Sequence, residues 1–393
     1  MAPSELIRRF HALRDVLAAH AHLWRPVPFH EPRPAWCDRY PELDARLRQL
    51  TRGEVDALGS DNHALIDLLA AHAPGLAAIH GLIDLPGVEP GVEDLPPPRV
   101  LAHVPGRKLS QITAFAAALG EVAHPVLEWC AGKGHLGRLL AWRQPHPVDS
   151  LEIDPALIEA GEQLSRRAGL AQHFIPGDAL APETAAHLTG RHAVALHACG
   201  ELHLSLLRRG AMAGVPALDL APCCYYRIPQ ERYPPLCEDA GLDLSRDELH
   251  LAVTETVTAG GRDRRRSRQA MAWKLAFLEL RAQAGIGHAV TFPPVPEAWL
   301  ALGFEGWMSR LCEREGVAIP AGCRWIVLEQ SGWRRAAEVL RLDLVRLAFR
   351  RPLEVWLALD RCVFLERHGY RLQLRVFCDS RLTPRNLLIS ARL

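Results

Sequence analysis

Apolar residues recur along this chain in two rhythms, and the change between them marks its organisation. Near the N-terminus Ser4 precedes Leu6, Ile7, Phe10, Leu13, Val16 and Leu17. That three-to-four spacing puts one stripe on a helix, with the serine suited to cap it. A proline-rich break follows from Arg25 to Pro34. Helical spacing resumes near Glu42 with Leu43, Leu47 and Leu50, and continues from Leu65 to Ala71. Between Leu85 and Pro98 lie five prolines and two glycines, which read as a linker and a domain boundary.

Beyond the linker, short apolar runs alternate with amphipathic stretches. Strands are expected at residues 126–129, 148–153, 173–175, 193–197 and 217–221, and helices at 110–119, 135–142, 155–168 and 202–211. Pro155 suits a first helical position. Such alternation implies a parallel, doubly wound α/β sheet with crossover helices. The alternation lapses from about Cys237 to Arg350. It resumes with a helix at 353–366 and strand-like runs at 371–377 and 386–391, turned at Asp379 and Pro384. The expected organisation is therefore a helical region with linker (1–98), a core (99–236), a mainly helical insertion (237–350), and a last helix and hairpin (351–393) that complete the sheet.

Composition narrows the classes. A formal net charge of +1 over 393 residues gives no global attraction to nucleic acid or membrane, so basic surface must be local. No apolar run approaches the roughly 18 residues needed to span a bilayer, and the N-terminus lacks a secretory apolar core. The ten cysteines then read as reduced thiols of a cytoplasmic protein. They form no CxxC pair, and adjacent Cys223-Cys224 do not have the spacing of a paired zinc knuckle, so no metal site is expected, with a structural zinc site as the lesser alternative.

The chemistry concentrates in Val126–Leu140, where a strand runs into Glu128, a turn with Gly132, Gly134 and Gly137, and a leucine-rich helix. A strand–loop–helix start of this kind presents backbone N–H groups to an anionic or carboxylate-bearing cofactor. Gly132-Lys-Gly134-His-Leu-Gly137 satisfies GxGxxG, which leaves a nicotinamide dinucleotide open. S-adenosylmethionine is favoured by two of three carboxylates. Glu128, at the strand end, suits a methionine amino group, directly or through the loop. Glu152, 20 residues past Gly132, suits the ribose hydroxyls in either cofactor, with Asp154 as competing ribose ligand or helix cap. Asp178, after the third strand, suits an adenine amine, or serves only as a turn residue. Cys130 stands where many methyltransferases place the first of three glycines.

Two further strings carry a family resemblance. His197-Ala-Cys199-Gly-Glu-Leu202 follows strand four, and Pro222-Cys223-Cys224-Tyr225-Tyr226 follows strand five. Together with Gly-Lys-Gly and with Lys108 and Gln111 ahead of the first strand, they resemble a methyltransferase-like family related to ribosomal RNA adenine dimethylase domain-containing proteins. Leu359-Asp-Arg-Cys362 and Leu382–Ala391 resemble its last helix and hairpin, so the likeness covers roughly residues 100–393. A more distant likeness is to a tRNA 2′-O-methyltransferase family. Tyr226 stands where both relatives favour histidine. The resemblance implies a Rossmann-like class I methyltransferase domain that binds S-adenosylmethionine through Lys108, Glu128, Cys130, Gly132, Gly134, Glu152, Asp178 and His197.

In a doubly wound sheet the acceptor belongs beyond the carboxyl ends of strands four and five, which makes His197, Cys199, Cys223, Tyr225 and Tyr226 the candidate catalytic residues. His197 is either a base or a structural hydrogen-bonding group. The cysteines are either nucleophiles or small packed hydrophobes. The tyrosines either stack on a planar acceptor or bury a ring as core. Arg262–Arg268 holds five arginines in seven residues, a phosphate-pairing patch or a solvated charge run. Trp273, Trp299, Trp307 and Trp325 are expected in the core. The expected activity is methyl transfer to a macromolecule, RNA ahead of protein. A non-catalytic S-adenosylmethionine- or RNA-binding scaffold and an NAD-dependent oxidoreductase are the alternatives.

Overall fold

The computed structural model describes residues 3–88, 96–254, 261–286 and 294–393. Among the described residues, seven strands make one sheet: β1 (Val126–Trp129), β2 (Val148–Glu152), β3 (Gln172–Pro176), β4 (His192–Cys199), β5 (Ala217–Cys223), β6 (Arg371–Val376) and β7 (Leu387–Arg392). Their order is β3-β2-β1-β4-β5-β7-β6. β1 to β5 are mutually parallel, and β7 runs antiparallel to β5 and to β6. β1 and β5 are buried along their whole length, as a central strand covered on both faces must be. The expected mostly parallel, doubly wound α/β fold is present, with its strand order reversing between β1 and β4.

The strands lie where the apolar runs put them, with β4 and β5 each two residues longer than expected at the carboxyl end. Their extra residues, Ala198–Cys199 and Pro222–Cys223, carry the site. The helix ahead of β1 also begins earlier, at Gly106 behind Pro105, and so includes Lys108. Its polar opening, Gly-Arg-Lys, hides it from an apolar-period reading. Part of the expected linker pairs with the sheet edge: Val88 N–H donates to Val376 O at 2.9 Å, and Val376 N–H to Pro86 O at 2.9 Å. Residues 89–95 of that linker lie outside the described residues.

The chain divides by contact into two units that cut across the four expected segments. One comprises Met1–Ala18, Ala78–Thr254 and Arg350–Leu393; the other comprises Ala19–Ala77 and Glu255–Phe349. The first helix, Glu5–Ala19, belongs largely with the sheet, and Phe10 stacks on Trp356 of the Arg350–Arg367 helix at 5.4 Å. The stretch 237–254, expected in the insertion, is also held by the sheet unit, because Cys237 N–H donates to buried Asp360 at 3.0 Å. In the second unit, Arg341 donates to Leu50 O at 2.8 Å and Arg346 to Trp24 O at 2.9 Å. These bonds tie the early helices to the late ones.

The second unit has its own core around Trp273, Phe277, Trp307 and Leu311, with Trp299 and Trp325 partly buried against it. That is the packing role expected of these tryptophans. Among the described residues, no helix is long and apolar enough to cross a membrane.

Candidate functional site at the strand tips

Four described residues other than glycine take positive φ, and three of them sit at the carboxyl ends of central strands. They are Cys130 after β1 (φ 57°), His197 in β4 (φ 73°) and Cys224 after β5 (φ 45°). Each such conformation costs about 1–3 kcal/mol and persists where surrounding structure over-determines it, typically at a functional site.

On the β1–β2 side, carboxylates hold the loop. Glu128 is buried, and its Oε2 accepts from Gly137 N–H at 3.1 Å and from Ser150 Oγ at 2.8 Å. It thereby satisfies a free N–H in the first turn of the following helix. Gln172 extends the ladder, donating to Ser150 Oγ at 2.8 Å and to Gly134 O at 3.0 Å. Burial pushes the Glu128 pKa up to about 7, against the bonds from Ser150 and Gly137 and the charge of Lys108. The ladder has no room to spare: a Cβ on Gly134 would lie 2.3 Å from Gln172 Nε2 and 2.5 Å from Phe174 Cζ.

Glu152, at the tip of β2, is not a solvated strand end. Its Oε2 accepts from Gly132 N–H at 2.7 Å, and its Oε1 from the N–H groups of Ile153 and Asp154 at 3.0 and 3.1 Å. A carboxylate has about four acceptor positions, so Oε2 retains one. Asp154 takes the capping alternative, accepting from Ala156 N–H at 2.8 Å and Leu157 N–H at 3.3 Å. Asp178 is exposed and closes its own turn, accepting from Leu180 N–H at 2.8 Å. Cys130 lies among these groups. Burial first, then the charge of Glu152, pushes its thiol up to about 12, with Cys199, Asp178 and Glu128 adding smaller effects.

On the β4–β5 side, Lys108 and Gln111 reach in from the Gly106–Ala118 helix. Gln111 donates its amide N–H to Leu382 O at 3.4 Å, which turns its Oε1 toward His197 Nε2 at 3.1 Å. The hydrogen of His197 therefore sits on Nε2, and Nδ1 carries the lone pair. Solvent reaches the ring, yet crowding by protein and the charge of Lys108 lower its pKa. Both effects favour the neutral imidazole.

Beneath the tip lies a buried polar chain that sequence reading missed. His203 Nδ1 donates to Ala198 O at 2.9 Å, and its Nε2 accepts from Arg361 Nε at 3.0 Å. Arg361 also donates to Tyr233 OH at 2.9 Å, and Tyr233 OH to Asp360 at 2.5 Å. Asp360 and Arg361 belong to the Leu359–Cys362 string, but nothing in the sequence links them to His203.

Cys199, Cys223 and Cys224 bring their sulfurs within 4.8 Å of one another, with Cys199 Sγ and Cys223 Sγ 3.3 Å apart. The expectation of no metal site rested on spacing within a single segment; here two strands contribute. Hydrogen bonds from Cys199 and Cys223 lower the Cys224 pKa, and the charges of Arg227 and Arg385 assist. Gly200, at φ +56°, allows the β4 and β5 loops to meet: a Cβ there would fall 1.9 Å from Arg227 O.

The expected catalytic role of Tyr225 needs correction. Tyr225 is fully buried, under the Arg361 guanidinium at 4.8 Å and edge-on to His203 at 6.0 Å. It is a core residue and presents no face to an acceptor. Tyr226 is half-buried and stacks on His250 at 4.0 Å, so one face of its ring is occupied. The strand tips otherwise gather Lys108, Glu128, Cys130, Gly132, Glu152, Asp178, His197, Cys199 and Cys223.

The sheet order and the glycine loop at its switch point define a Rossmann-like methyltransferase fold. Residues 107–231, which include β1 to β5 and every one of these side chains, match the model of a family described as a methyltransferase domain. No curated protein matches the chain.

Proposed function

We propose that this chain transfers a methyl group from S-adenosylmethionine to RNA. The observation that carries the donor half is the family match over the segment whose strand tips collect these charges. The donor set fits the molecule. Lys108 complements a methionine carboxylate, the remaining acceptor position of Glu152 suits ribose hydroxyls, and exposed Asp178 suits an adenine amine. Glu128 acts through the loop, by holding Gly137 N–H. When bound, S-adenosylmethionine supplies an electrophilic methyl on a sulfonium.

The chain's task is then to orient an acceptor atom in line with that carbon and to exclude water. His197, neutral and with Nδ1 unprotonated, takes the proton of an acidic acceptor. The preference for RNA rests on Arg262–Arg268, at the start of the Gly261–Gln283 helix in the second unit. Arg262, Arg264 and Arg265 are exposed there, whereas Arg266 pairs with Glu297 at 3.0 Å and Arg268 with Asp56. The likeness to RNA-modifying families in the His197–Gly200 and Cys223–Tyr226 strings points the same way.

The test is incubation with methyl-labelled S-adenosylmethionine and extract depleted of the endogenous enzyme. Ribonuclease-sensitive label is expected; predominantly protease-sensitive label overturns the RNA assignment. Calorimetry should show Glu152→Gln weakening S-adenosylmethionine binding by about 10- to 100-fold, the loss of a charge-assisted hydrogen bond. Unchanged affinity in a folded variant would move the cofactor elsewhere. Gly134 is the wrong position for such a test, because its substitution breaks the packing against Phe174 and Gln172 before any ligand is considered.

A further inference from the structure

We propose that Cys199, Cys223 and Cys224 bind a single zinc ion, with a fourth coordination position open to water at the methyl-acceptor end of the sheet.

The backbone is bent in two places to make this group. Leu196 faces Ala221 and Cys199 faces Cys223, so three steps along β4 match two along β5. One residue is thus extra in β4, a bulge of the kind that re-aims a side chain beside a functional site. Cys224 is turned back by its positive φ, a conformation unfavourable to a residue with a Cβ. Simple packing of small side chains requires neither distortion. Together they bring three sulfurs from two strands to one point.

The distances suit the ion. Zinc–sulfur bonds of about 2.3 Å in tetrahedral geometry separate sulfurs by about 3.8 Å. The observed 3.3 Å between Cys199 and Cys223 is about half an ångström shorter than that, and all three sulfurs lie within 4.8 Å of one another, so small side-chain shifts suffice to seat the ion. An all-thiolate set selects a soft or borderline metal over magnesium or calcium. Three thiolates around a divalent ion leave one negative charge in excess, and the guanidiniums of Arg227 and Arg385 act on Cys224 from nearby. Among the described residues no fourth histidine, cysteine or carboxylate atom joins the group. Three protein ligands with an open position are the pattern of a reactive rather than a purely structural zinc site.

The inference stands apart from the methyl-transfer reading, since its readout is metal and not turnover. The full chain, reduced, loaded with zinc and freed of excess ion by gel filtration, should retain about one zinc per chain. Cys223→Ser and Cys224→Ser should lose it, while Cys323→Ser in the second unit retains it. Cobalt substitution should give a thiolate-to-metal charge-transfer band that disappears in the same two variants. On the unaltered chain, zinc should protect Cys199, Cys223 and Cys224 from alkylation, as mapped by peptide mass; this arm needs no variant to fold.

Retention below about 0.1 zinc per chain, or zinc kept by both serine variants, overturns the proposal. So does alkylation of the three thiols that zinc leaves unchanged. Recovery of a Cys199–Cys223 disulfide that, once reduced, takes up no metal overturns it as well.

Discussion

Glu128 shows how a single buried carboxyl serves the loop above it. The acid caps the first turn of the next helix and joins a ladder through Ser150 and Gln172. Burial lifts its pKa from 4.5 to about 7. An acid whose folded pKa is raised holds its proton more tightly in the native state. Its stabilising effect is complete below pH 4.5 and is lost as pH rises through 7. Glu128→Gln, which keeps an acceptor and removes the charge, should therefore gain in melting temperature relative to the unaltered chain between about pH 5 and pH 8. A difference that stays constant across that range would show that the carboxyl is not the titrating group.

His135 behaves in the opposite sense. Burial first, then Arg138, lowers its pKa to about 4, so the native state resists its protonation and loses stability as pH falls from about 6.5 toward 4. These two residues neighbour the same loop, and each side chain was readable by type but not by state. For Glu128, expected to act on a ligand directly or through the loop, the bond from Gly137 N–H favours action through the loop. Of the two roles open to Asp178 and to Asp154, hydrogen-bond geometry assigns a local turn to the first and a helix cap to the second.

At the scale of elements, the Arg350–Arg367 helix supports the β4 tip from below. Its Arg361 donates to His203, and His203 holds Ala198 O between His197 and Cys199. Replacing Arg361 with methionine leaves the acceptors on His203 and Tyr233 buried without their donor. The expected loss is about 2–4 kcal/mol, seen as a lower denaturation midpoint. Lysine should not restore it, since one ammonium does not reproduce the planar fork. Full rescue by lysine would mean that only charge matters there. The strands themselves were legible because a buried parallel strand is a continuous apolar run. Their last residues were not, since His197, Cys199 and Cys223 interrupt or end the run, and a bulge leaves no mark on periodicity. Tyr225 likewise could not be sorted from Tyr226 by type. Burial on one side and His250 on the other separate them.

At the scale of the whole molecule, the arginine-rich stretch lies on one unit and the strand-tip site on the other. If the first serves RNA and the second methyl transfer, the two functions separate by mutation. Replacing Arg262, Arg264 and Arg265 with glutamine should weaken RNA retention. It should also reduce the slope of log affinity against log salt by about 0.7 for each single-strand phosphate that the arginines no longer neutralise. S-adenosylmethionine affinity should not change. An unaltered salt slope would return the stretch to a solvated charge run.

A cavity of about 290 Å³ in the same unit, lined by Asp263, Arg266, Lys274, Glu297 and Trp307, carries both signs of charge and is not at the strand tips. The division into units was the part of the architecture least visible beforehand. Ala19–Ala77 and Glu255–Phe349 are far apart in the chain, and each reads as an ordinary amphipathic helical region.

By itself the sequence determined the alternating strands and helices, the glycine loop, and the set of acids and thiols from which a site is built. Periodicity and residue type are local properties, and they survive in one dimension. Tertiary structure alone decided which carboxylates hold backbone and which keep an acceptor position free. It also decided which tyrosine is core, and that thiols on two strands converge. Those outcomes depend on burial, bulges and distances between residues remote in the chain, and one sequence holds no record of them.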